Sequence, residues 1–61
     1  MNWNKISEAL DLSNLGLMYH LKGNKDKALD YLNQAIKIYK QIGAKKEIEE
    51  TKRDIQMLKG K

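Results

Sequence analysis

Apolar residues along this chain recur at spacings of three and four in three separate stretches, and no segment shows the two-residue alternation of a strand. The first stretch carries Ile6, Leu10 (beside Ala9), Leu12, Leu15, Leu17 and Tyr19. The second carries Ala28, Leu32, Ala35, Ile36 and Tyr39, flanked by Leu29 and Ile42; the third is narrower, with Ile48, Thr51, Ile55 and Leu58. Gly23-Asn24 and Gly43 interrupt the pattern. Glycine is the common residue just past a helix end, and the Asn24 side chain is suited to cap the helix that follows. The pattern predicts an all-α chain with helices over about residues 4–22, 25–41 and 45–59. Connections this short set consecutive helices antiparallel, so a helical hairpin carrying a third helix is expected.

Gly16 falls in the middle of the first predicted helix, where glycine costs about 1 kcal/mol relative to alanine. Counting back around the Gly23 turn places Ala28 opposite it, so two small residues face each other and let the helices approach closely. Leu12, Leu15, Tyr19 and Leu32 are then expected to fill the remaining groove, with Ala35 further along the same contact.

These residues carry a resemblance. Leu12-x2-Leu15-Gly16-x2-Tyr19, followed by Ala28-x3-Leu32 and Ala35, resembles one tetratricopeptide repeat running from Ala9 to Ile42. Leu12 stands where the family usually has tryptophan, Leu32 where it has phenylalanine, and Lys40 where it has a closing proline. A second repeat is not found: shifting by 34 residues puts Lys46, Glu49, Glu50 and Arg53 at the motif positions. Residues 45–59 are therefore expected to form the polar capping helix that closes such arrays, in one domain spanning 1–61. The microtubule-interacting-and-transport domain, another three-helix bundle, is similar in Lys27-Ala28-Leu29-x-Tyr31 and in the tail Ile48…Lys52-Arg53…Leu58-Lys59, but Leu15-Gly16-x2-Tyr19 favours the repeat.

Composition narrows the function. The chain has 61 residues, no cysteine and no proline. A core of this size rarely supplies more than about 3–5 kcal/mol without a staple or a partner. No catalytic residue, cofactor or metal site is expected. His20 is the one histidine and has no ligand at helical spacing, and Ser7, Ser13 and Thr51 lack a base and orienter. The net charge is +4, yet twelve Lys/Arg are interspersed with eight Asp/Glu and Arg53 is the sole arginine, so a nucleic-acid partner is not expected. Met1-Asn2-Trp3-Asn4-Lys5 has no apolar signal region and apolar runs are short, which reads as a cytoplasmic chain without a membrane span.

The resemblance implies a protein or peptide partner. The first helix of a tetratricopeptide repeat lines the concave face, here Leu10, Ser13, Asn14, Leu17, His20 and Leu21, and Asn14 matches a position that hydrogen-bonds a bound peptide backbone. Leu10, Leu17 and Leu21 also line a face that the second helix cannot cover. Trp3 is the first candidate anchor for a second copy of the chain, giving a homo-oligomer, in its simplest form a dimer, packed symmetrically or by helix exchange. Two other readings stay open: a basic module for nucleic acid or an acidic peptide, and a purely structural piece, either a fragment of a longer array or an idealised design, with no ligand of its own.

Overall fold

In the computed structural model, residues 3–60 are described; Met1 and Asn2 of the N-terminal segment, and Lys61, lie outside them. Three helices follow one another: α1 (Trp3–Leu21), α2 (Lys25–Ile42) and α3 (Lys45–Lys59). α1 ends one residue earlier than its apolar pattern suggests, because Lys22 and Gly23 are spent on the turn. α2 runs to Ile42, with no proline to halt it before Gly43. No strand occurs among the described residues.

Both turns have the same construction. Gly23 (φ 84°) and Gly43 (φ 72°) take the left-handed conformation that costs glycine little. At the first, the Asn24 N–H donates to the Tyr19 carbonyl at 2.8 Å and the Gly23 N–H to the His20 carbonyl at 3.0 Å. At the second, the Ala44 N–H donates to Tyr39 at 3.0 Å and the Gly43 N–H to Lys40 at 3.3 Å. Each pair satisfies carbonyls that the helix end would leave open. Asn24 then caps α2, its Oδ1 accepting the Lys27 N–H at 3.2 Å.

α2 is the central element. On one side Ala9 of α1 packs with Ala35, Ile38 and Tyr39, and Leu12, Ile42, Ala44 and Ile48 close around them. On the other, Ala28 and Leu32 pack with Ile55 and Leu58 of α3, flanked by Tyr19, Leu29 and Ile36. α1 and α3 both pack on α2 in a slab whose Cα extents are 34 × 18 × 12 Å. Thr51, buried in α3, donates its hydroxyl to the Glu47 carbonyl at 2.8 Å, so the polar group costs little where it sits.

The close approach is at Gly16. A Cβ there would lie 2.9 Å from Leu32 Cγ and 3.0 Å from the Ala28 carbonyl oxygen. Leu15 departs from the expected groove-filling set: it is 38% exposed and belongs to neither core cluster, because one residue along a helix turns the side chain about 100° away from the Gly16 contact line. Ser13 also departs from its expected place on an open face, since its Oγ is buried.

Tyr39 is 2% exposed. Burial pushes its phenol pKa up. The Ser13 hydroxyl that faces it works the other way, although that Oγ closes no hydrogen bond of ordinary geometry, and the Glu47 and Glu50 carboxylates add to the rise. Above the ordinary tyrosine value of about 10, the unfolded chain therefore loses this proton before the folded one does. Stability contributed by the protonated phenol is complete below that pH and is lost as pH rises through the folded value. Tyr39→Phe is expected to flatten this alkaline loss, read as urea midpoints at about pH 8 and about pH 11; an equal loss in both proteins would contradict it.

Candidate functional site

α1 is apolar on two faces. The face toward α2 carries Ala9, Leu12, Gly16 and Tyr19, with Ala9 and Gly16 buried. Roughly opposite, about 150° around the helix, lies a second face, carrying Trp3 (73% exposed), Leu10 (47%), Asn14, partly buried Leu17, and Leu21 (85%), with Met18 (53%) beside it. Residues 10, 14, 17 and 21 follow one another at spacings of four, three and four, which keeps them on one side of a helix. Trp3 does not fold back on the bundle. His20 is exposed at the end of α1, where it lines an open depression of about 310 Å³ with Gly23, Lys25, Met57 and Leu58.

An aromatic stack that the apolar spacing does not foreshadow joins the two helices. Tyr19 of α1 and Tyr31 of α2 stack with ring centroids 5.5 Å apart and planes 9° from parallel. The Nζ atoms of Lys27 and Lys22 lie 5.3 and 5.8 Å from the Tyr19 ring centre, within reach of its π face. Beside this stack, Leu15, Met18, Tyr19 and Lys22 line a shallow depression of about 120 Å³. Aromatic residues twelve positions apart, on two helices, gave no local signal; only the antiparallel register joins them.

Among the described residues no group of three or more His, Cys, Asp or Glu is placed to hold a metal, and no helix is long and apolar enough to cross a membrane. The chemistry this surface offers is contact: an apolar strip with one amide in its middle.

The chain matches the family model described as tetratricopeptide repeat over residues 9–41. The chain belongs to the tetratricopeptide repeat family. That settles the choice against the second three-helix family. Comparison with curated proteins and with solved structures gives no match. Tetratricopeptide repeats generally mediate protein–protein interaction and typically serve as non-catalytic scaffolds. The matched span contains the buried residues of the hairpin contact, from Ala9 through Gly16 to Tyr39, and most of the outward face of α1.

Proposed function

We propose that this chain is a non-catalytic protein–protein interaction module in which the outward face of α1 receives another polypeptide. Residues 9–42 form the repeat unit and 45–59 its capping helix, in one domain over 1–61. One observation carries the reading. Of the six large apolar side chains that stand most exposed among the described residues, four (Trp3, Leu10, Met18 and Leu21) lie on or beside this face of α1. Exposed apolar side chains scattered singly mean little, whereas a contiguous patch on one helix marks an interaction site. Leu10, Leu17 and Leu21 supply the apolar contact, and Asn14 offers a donor and an acceptor from one amide. Trp3 anchors one end and His20 borders the other. Leu12, Leu15, Gly16, Tyr19, Ala28, Leu32 and Ala35 carry the family motif, and all but Leu15 serve the hairpin that holds the face in place. A protein or peptide suits this apolar strip better than nucleic acid, because the chain's cations are spread among its acids.

The test is a display selection of helical peptides against the folded chain, followed by binding to a Leu10→Glu/Leu21→Glu double variant. Both positions are exposed, so helix content is expected to stay unchanged. Selected peptides are expected to bind the variant at least about tenfold more weakly, the loss typical of removing central apolar contacts. Peptides that bind both proteins equally would place the interaction elsewhere.

A further inference from the structure

The open face of α1 has a register as well as an apolar character. Trp3, Leu10 and Leu17 recur every seven residues, and so do Ser7, Asn14 and Leu21, the two series interleaving at steps of four and three. That is the heptad seam along which two helices pair, with Trp3, Leu10 and Leu17 at its d positions and Ser7, Asn14 and Leu21 at its a positions. Ala9, Gly16, Leu12 and Tyr19 fall at the opposite c and f positions, where α2 already sits. The seam is thus free of the hairpin contact. Of the six positions that flank it (4, 11, 18 and 6, 13, 20), only Asp11 carries a carboxylate or an ammonium, so little charge opposes pairing.

We infer that the occupant of this seam is α1 of a second copy of the chain, paired parallel and in register. The inference rests on the interaction reading above and names the partner. A second copy meets the seam's two demands. First, Trp3, Leu10, Met18 and Leu21 together expose roughly 500 Å² per chain, so two chains could bury at most on the order of 1,000 Å², the size of a weak, readily reversible interface. Second, a parallel in-register pair sets like against like, so Asn14 meets its counterpart and each amide finds a donor and an acceptor. An antiparallel pair would set the a series against the d series, placing Asn14 against leucine and leaving a buried amide without a partner. Asn14 therefore fixes orientation and register in the pair, and Leu10, Leu17 and Leu21 supply the contact.

The absence of cysteine makes a direct test possible, because a single introduced thiol reports one position. Ser7→Cys and Leu21→Cys, oxidised mildly at concentrations where the pair forms, are each expected to give a disulfide-linked dimer. In the parallel register their Cα atoms meet within disulfide reach, about 4–7 Å. Lys52→Cys, on the outward side of α3, supplies the background, and at least about tenfold more dimer is expected from the two seam positions. Preference for the mixed disulfide when Trp3→Cys and Leu21→Cys are combined would overturn the parallel register. Absence of cross-linking above background at both seam positions would overturn the second copy as occupant. If selected peptides still depended on Leu10 and Leu21 in that case, the interaction face would stand with a different partner.

Discussion

Gly16→Leu is expected to lower the melting temperature by at least about 10 °C, or to leave the chain unfolded at room temperature. The two opposing effects can be weighed. Leaving glycine gains up to about 1 kcal/mol of helix propensity. Against that, even a Cβ at this position would sit 2.9 Å from Leu32 Cγ, a branch point and not a flexible tip, and 3.0 Å from the backbone oxygen of Ala28. Neither neighbour can step aside without moving α2. Overpacking of this kind costs about 1–3 kcal/mol and occasionally more, and a full leucine belongs at the upper end. In a domain of this size each kcal/mol is worth about 4–8 °C, so sterics decide the sign. Thermal unfolding followed by helix ellipticity measures it, and an unchanged melting temperature would mean that α1 and α2 do not touch here.

Leu32→Ala is expected to be more damaging still. Leu32 is fully buried between the two partners of α2: it fills the space over Gly16 on the α1 side and packs with Ile55 and Leu58 of α3. Removing such a side chain costs about 2–5 kcal/mol, comparable to the whole stability available to a core this small, about 3–5 kcal/mol. The variant is expected to be largely unfolded in buffer, with both α1 and α3 released. Urea titration checks it; a midpoint close to wild type would deny Leu32 its place in the core. The two sites are also coupled. Gly16→Ala is expected to cost less in the Leu32→Ala background than in the wild type, because the tightest contact of the new methyl is gone.

Local signals told most of the fold in advance. A left-handed glycine is a property of two or three residues, so Gly23 and Gly43 could be read as helix ends from the sequence, and both adopt that conformation. The Gly16–Ala28 contact was legible because antiparallel counting around a short turn involves little freedom. Leu15, Ser13 and Ile38 were not legible in the same way. Leu15 stands next to Gly16 in the motif yet points away from α2, Ser13 looks like a surface residue yet lies against Tyr39, and Ile38 stands outside the stripe yet is buried. Each is decided by which neighbour a helix face meets, and apolar spacing does not say that. The two faces of α1 were legible only in part: Leu10, Leu17 and Leu21 read as a face that α2 leaves open, yet Leu15 was grouped with the inward Leu12 and Tyr19. By spacing alone, Ile6, Leu10, Leu12, Leu15, Leu17 and Tyr19 read as one stripe; with α2 in place, Leu12 and Tyr19 turn inward and Leu10 turns outward.

The central claim is that the outward face of α1 is a pairing surface whose occupant is a second copy of the chain. Sedimentation equilibrium over micromolar to millimolar concentrations, for the wild type beside Leu10→Glu/Leu21→Glu, tests it most directly. The wild-type mass is expected to rise with concentration from 7.1 kDa toward twice that value and to level there, while the double variant remains at the monomer mass. A wild-type chain that stays monomeric throughout, or a double variant that associates as the wild type does, would contradict it.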